Sequence, residues 1–273
     1  MARSVVVTGA SSGIGEACAR RLARAGWRVH AGVRRDEDAE RLRNDGLEPL
    51  VLDVTDEGSI AAAASQVGKP LAGLVNNAGV AVSMPLEALP LDELRRQLEI
   101  NVIGQVAVTQ AFLPALRTGR GRIVNVGSIA GRSALPFLGA YAASKHALEA
   151  ATDALRVELR PFGIEVAIVE PGTIGTPIWA KGAQTFQRIA ATLPDGALEP
   201  YAGRLAAFRE AAAAAGRRGE PAEKVAEVIE HALTASKPKT RYLVGRDARR
   251  RARIERLPDR LRDRVYERVL LRG

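Results

Sequence analysis

Tyr141 and Lys145, in the run YAASK, place a phenol and an ammonium four residues apart, which on a helix is one face. A tyrosine with its ordinary pKa of about 10 is a poor base at neutral pH. A neighbouring cation favours the phenolate, so the pair makes a workable proton donor and acceptor. Ser128 ends an apolar run, Ile123 to Val126, upstream of Tyr141, and Asn101 lies in a helical segment before that. Tyr-x-x-x-Lys alone is a common accident of helical sequence, so its weight rests on these companions.

A second group of residues suits a phosphate. TGASSGIG, Thr8 to Gly15, sits where a short β-branched run gives way to an amphipathic stretch, the place where a strand turns into a helix. Gly9, Ser11, Ser12, Gly13, Ile14 and Gly15 let a ligand approach the backbone, and the helix N-terminus offers free amides and a favourable dipole. The glycine spacing is G-x-x-x-G-x-G. Asp53 and Val54 follow a third apolar run, and NNAG, Asn76 to Gly79, follows a fourth. Asp53 would accept from an adenine amino group or cap the helix that begins near Asp56; both readings stand. Asn77, Ala78 and Gly79 would border a ribose, while Asn76 ties neighbouring strands through backbone hydrogen bonds. After the second run stand Arg34 and Arg35, where a carboxylate would be wanted for a 2′-hydroxyl. Arginine suits a 2′-phosphate, which favours NADP(H), with Asp36 keeping NAD(H) open.

The elements that must hold these residues are seven short apolar strands: Ser4 to Val7, Val29 to Val33, Leu50 to Leu52, Leu74 to Val75, Ile123 to Val126, Val166 to Val169 and Tyr242 to Val244, with helical segments between them. Such alternation predicts an α/β fold, a doubly wound parallel sheet covered on both faces, because each crossover carries the chain back across the sheet. Residues 174–220 interrupt the alternation and read as a helical insertion over the site. One domain spans residues 1–245, and 246–273 form a helical extension.

Composition narrows the function classes. With 273 residues and 47% apolar content the chain can bury one large core. The single cysteine, Cys18, excludes an intrachain disulfide and reads as a packed core residue in a reducing compartment. Val5 to Val7 is too short for a signal-peptide core, and no stretch approaches a membrane span, so a cytoplasmic protein is expected. The net charge of +9 is concentrated at the end: residues 246–273 carry eleven arginines against five acids. A basic tail does not make the domain a nucleic-acid binder. No metal site is expected.

Taken in order, TGASSGIG, NNAG, INV at Ile100 to Val102, GS at Gly127 and Ser128, YAASK and PGTIGT resemble the short-chain dehydrogenase/reductase family, over Ser4 to about Val244. The resemblance implies a Rossmann-type sheet and an enzyme that interconverts an alcohol and a ketone or aldehyde. It assigns Tyr141 as proton donor to the carbonyl oxygen and Ser128 as its hydrogen-bond partner. Lys145 would hold the nicotinamide ribose and lower the Tyr141 pKa, and Asn101 would hold a relay water. In PGTIGT it places Pro171, Gly172, the Ile174 backbone and Thr176 at the nicotinamide, although Pro171 and Gly172 also suit a strand-ending turn. KTRYLVG, Lys239 to Gly245, is similar to the steroid and retinol dehydrogenase branch, which implies a bulky apolar substrate; a 3-oxoacyl thioester reductase is the rival, and a silent dinucleotide-binding scaffold the alternative of another class.

Trp179, Phe186, Tyr201 and Phe208, with LPFL at Leu135 to Leu138, would either line an apolar pocket or hold the insertion down. In the tail, Leu257, Leu261, Val265 and Val269 recur every four residues beneath an arginine-rich face, an amphipathic helix with Pro258 at its first turn. Docking on the domain or on a sister subunit of a homo-oligomer is expected, with peripheral contact to anionic lipid as the lesser reading.

Overall fold

The computed structural model describes residues 3–45 and 47–270, with side chains 215, 269 and 270 outside the description. In chain order, β1 (Ser4–Val7), α1 (Gly13–Arg24), β2 (Arg28–Val33), α2 (Asp36–Asn44), β3 (Glu48–Val51), α3 (Glu57–Val67) and β4 (Gly73–Asn76) form the first half. α4 (Leu91–Leu98), α5 (Gly104–Gly119), β5 (Arg122–Val126), α6 (Gly139–Leu159) and β6 (Glu165–Pro171) follow. α7 (Ile178–Ala190), α8 (Ala202–Arg218), α9 (Ala222–Thr234), β7 (Arg241–Val244), α10 (Arg246–Ile254) and α11 (Asp259–Leu270) complete the chain.

The seven strands form one parallel sheet in the order β3-β2-β1-β4-β5-β6-β7. The expected doubly wound α/β class is the observed one. Period-two alternation in β1 explains the two-sided burial: Val5 and Val7 enter one apolar cluster with Leu22 and Ile229, while Val6 enters the other with Phe112 and Leu116. In α9, Val225, Ala226, Ile229, Ala232 and Leu233 recur at helical spacing and are buried, giving α1 and the sheet one continuous apolar face.

Strand order reverses between β1 and β4, so the loops after these strands part and leave a crevice at the carboxyl edge. A third apolar cluster lies beyond that edge, where Phe186 and Ile189 of α7 and Leu205 and Phe208 of α8 meet Val82, Met84 and Phe137. A bridge between Ile174 and Glu220 closes the neck of this helical pair. Among the described residues, no helix is long and apolar enough to cross a membrane, and no group of three or more His, Cys, Asp or Glu is placed to hold a metal ion.

The tail is two helices, α10 and α11, rather than one. Its packing side also differs from the apolar spacing: Leu261 is 46% exposed, whereas Ala248 and Tyr266 are buried. The Val269 side chain lies outside the described residues. Tyr266 packs inward because its hydroxyl has a partner there, Ser133 at 2.7 Å.

Candidate active site

The cleft at the carboxyl edge is open to solvent. Gly9, Ser11, Ser12, Gly13 and Ile14 form its floor, and Arg34, Asp53 and Val54 one end. Asn77, Ala78 and Gly79 form a side, and Tyr141, Lys145 and Thr176 the other end. Each of these was expected from the sequence at a ligand. Seven further expected residues stand off the wall: Asn101 and Ser128, described below, and five others for separate reasons.

Gly15 sits behind the turn, where a β-carbon would lie 2.3 Å from the Gly9 carbonyl oxygen. Its role is to let α1 approach β1. Arg35 turns away to pair with Asp38 at 2.9 Å. Pro171 ends β6 against Val244. Gly172 packs on Asp247, whose carboxylate accepts from the Thr173 amide at 2.6 Å. Ile174 is buried, and its carbonyl accepts from the Trp179 indole at 2.8 Å. Of PGTIGT, Thr176 alone lines the cleft; before it, the Thr173 amide is taken by Asp247 of α10 and the Ile174 carbonyl by Trp179 of α7.

Thr8, the residue that opens the glycine run, is the hinge pin between the two loops. Its hydroxyl accepts from the Asn77 and Ala78 amides, both at 2.9 Å, while the Asn77 side chain donates to the Thr8 carbonyl at 2.9 Å. Asp53 folds into an Asx turn, accepting from the Thr55 amide and hydroxyl. The capping of α3 falls instead to Asp56, which accepts from the Ser59 amide at 3.0 Å. That leaves Asp53 on the cleft wall rather than at the helix. Asn76 pairs with Asn125 in the β4–β5 ladder, and its side chain adds to that link: it donates to Thr109 and Asn125, and Asn125 donates on to Thr152.

Ser128, at the end of β5, accepts from the Ala130 amide at 3.1 Å and stands near enough to Tyr141 to favour its phenolate. The Lys145 ammonium is 5.9 Å from the Tyr141 ring centre and donates to the Val126 carbonyl at 2.8 Å. Burial brings the Lys145 pKa down to about 8, opposed by the charge of Glu149 one turn on. Burial raises the Tyr141 phenol; the Ser128 hydrogen bond and the Arg251 guanidinium pull it back. Ser128 and Arg251 favour the phenolate, and the Lys145 ammonium, held by the Val126 carbonyl, stands beside the ring with its charge intact.

Asn101 lies in a π-turn, Glu99–Ile103, between α4 and α5 and is fully buried. Its amide nitrogen donates to the Val80 carbonyl at 2.9 Å and to Ser144 at 3.0 Å, and its oxygen accepts from the Val80 amide. Both amide hydrogens are spent, so the side chain does not reach toward Lys145 with a donor. It fastens the β4 loop to α6 through Ser144, whose hydroxyl donates to the Tyr141 carbonyl at 2.7 Å.

The four insertion aromatics do not line the cleft. Phe186 and Phe208 are buried, with Phe137 edge-on to Phe208 at 5.6 Å. Tyr201 donates to Glu87. Phe186, Tyr201 and Phe208 hold the insertion against the Leu135 to Leu138 loop, and Trp179 packs within the insertion beside Gly216. The insertion offers the cleft Thr176, Pro177, Ile178 and Lys181 instead. Lys181, 3.4 Å from the Ser12 hydroxyl, has no signal in the sequence beyond being one of many charges.

Behind Lys145 lies a buried charge cluster that sequence spacing did not reveal. Glu149 of α6 and Glu170 of β6 share Arg241, and Arg132 pairs with Glu170 at 2.7 Å. Burial and the neighbouring Glu170 raise the Glu149 pKa to about 7 against the pull of Arg241.

Known proteins fit this geometry. The sequence profile described as short chain dehydrogenase matches residues 3–186. A 3-amino-tetrahydro-pyrrolizinone reductase of Xenorhabdus hominickii is 41% identical, across 90% of this chain and 88% of that protein. Retinol dehydrogenase 16 of Mus musculus is 39% identical, across 90% and 81%. The crystal structure of a short chain dehydrogenase from Burkholderia cenocepacia J2315 in complex with NADP matches with a TM-score of 0.76 and 28% identity, covering 100% of this chain and 98% of that one. A parallel sheet with its glycine turn at the reversal point, a serine and a tyrosine meeting at the far end of the cleft, and these likenesses lead to one conclusion: the chain belongs to the short-chain dehydrogenase family.

Proposed function

We propose that the chain is an NADP(H)-dependent oxidoreductase that interconverts an alcohol and a ketone or aldehyde on an apolar substrate, with Tyr141 moving the proton. The observation that carries this reading is one cleft with Tyr141 and Lys145 at one end and Arg34 at the other, Ser128 standing at the end of the strand beside Tyr141. The residues fit a dinucleotide. The glycine turn would hold the pyrophosphate, Arg34 the 2′-phosphate, Asp53 and Val54 the adenine, and Lys145 the nicotinamide ribose. When bound, the dinucleotide supplies or accepts the hydride.

A carbonyl oxygen between Ser128 and Tyr141 gains negative charge as its carbon is reduced. Ser128 donates a hydrogen bond there, and Tyr141 passes its proton to that oxygen. These interactions strengthen as the charge develops, so they favour the transition state over the ground state. In the reverse direction the Tyr141 phenolate takes the proton from the alcohol. Asn101 acts by position, tying the β4 loop to the backbone of Tyr141 through Ser144.

The named substrates of the relatives support an apolar carbonyl: a pyrrolizinone in one case and a retinoid alcohol in another. The test is NADPH consumption with a panel of apolar ketones and aldehydes. Tyr141→Phe is expected to lower kcat by about 10²–10⁴-fold, since it removes the proton donor. Equal turnover by the two proteins would dismiss Tyr141 as the acid.

A further inference from the structure

Resting on the reading of Tyr141 above, we propose that Arg251, in the C-terminal extension, is a positioning residue of the active site: it pins the loop joining Ser128 to Tyr141 and holds a positive charge against that loop. The loop from Ile129 to Leu138 begins beside Ser128 and ends where α6 delivers Tyr141. Its midpoint, Ser133, is fully buried. Arg251 donates to the Ser133 carbonyl at 2.9 Å and to its hydroxyl at 3.2 Å. Tyr266 of α11 meets the same hydroxyl at 2.7 Å and also donates to Glu255. Both helices of the extension thus converge on one backbone point between the serine and the tyrosine.

A half-buried guanidinium loses part of its hydration, and this desolvation lowers the Arg251 pKa. Its hydrogen bonds go to neutral Ser133 groups rather than to a carboxylate, so its charge is not cancelled by direct pairing. That charge acts on Tyr141. The other groups facing Tyr141 are Ser128 and Lys145, with the Glu149–Glu170 pair and its two arginines behind Lys145 and Lys181 across the cleft. Asp247 and Glu255 face Arg251 from its own extension and temper its field.

The test reads Tyr141 directly, by ultraviolet difference titration of each protein against its own Tyr141→Phe counterpart, and then by the pH profile of alcohol oxidation. Arg251→Gln is expected to move both midpoints about 0.5–1 pH unit to the alkaline side, as loss of one partly screened cation requires. Arg251→Lys is expected to restore the midpoint while raising the substrate KM, because an ammonium keeps the charge and loses the fork. Tyr266→Phe, with the guanidinium in place, is expected to raise KM and leave the midpoint alone. An unmoved midpoint in Arg251→Gln, or the same shift in Tyr266→Phe, overturns the proposal. Should Arg251→Gln fail to fold, a shifted midpoint in Arg251→Lys overturns it. The titration needs no turnover, so a wild-type chain inactive on every substrate defeats the functional reading and still leaves this one decided.

Discussion

At the scale of single residues, two arginines that look alike in the sequence have different work. Arg34 borders the cleft, whereas Arg35 begins α2 and pairs with Asp38. Charge-assisted hydrogen bonds to a phosphate contribute about 1.5–3 kcal/mol each. Arg34→Ala is therefore expected to lower the preference for NADPH over NADH by about 10–100-fold in fluorescence titrations, and Arg35→Ala to leave it within about twofold. An unchanged ratio in Arg34→Ala removes the phosphate clamp. Tyr141, Lys145 and Ser128 were legible as residue types at a telling spacing. That Lys145 spends its hydrogen bond on Val126, and that Arg251 bears on Tyr141, was not, since spacing along a chain does not tell which donor meets which acceptor across it.

At the scale of elements, the glycine turn works because α1 and the β4 loop close on it from two sides. A β-carbon at Gly15 would lie 2.3 Å from the Gly9 carbonyl and 2.4 Å from the Asn77 amide nitrogen, the group that locks the two loops together. Gly15→Ala is expected to cost about 1–3 kcal/mol of stability by overpacking. Its melting temperature falls and NADPH binding weakens at least about tenfold. A variant with wild-type melting and affinity would show that this approach is not required. The strands were legible because β-branched runs between turn residues leave the chain few alternatives. The role of the insertion was not: four aromatics in a run of helix read equally as pocket or as packing, and the meeting of Phe186, Phe208 and Phe137 decides for packing.

At the scale of the whole molecule, α6, β6 and β7 bring Glu149, Glu170 and Arg241 into the interior from positions far apart in the chain. One oxygen of each carboxylate is buried without a hydrogen-bond partner, and burial together with the charge of Glu170 favours the protonated form of Glu149. The Glu149 pKa of about 7 lies above its ordinary value, so the folded chain holds a proton that the unfolded chain releases. Stability therefore falls as pH rises from about 4.5 to about 7, and the loss persists above that. Glu149→Gln supplies a permanent donor. It is expected to gain about 1–2 kcal/mol relative to wild type between pH 5 and pH 8, read as a change in melting temperature difference. A difference independent of pH would rule out the raised Glu149 pKa.

The sequence by itself determined the sheet, the glycine turn, the end of the cleft marked by Arg34 and the types of residue available for proton transfer. Local propensity, two-residue and helical periodicity, and the carboxyl-edge rule for parallel sheets act over short stretches, and so they are written in short stretches. The tertiary structure decided which of those residues reach the cleft. It turned Arg35, Gly15 and Ile174 away, tied Asn101 to Val80 and Ser144, and brought Arg251 from the end of the chain to the loop between Ser128 and Tyr141. The physical reason is that buried polar groups must each find a partner, and which partner is within reach is fixed only once the elements are packed.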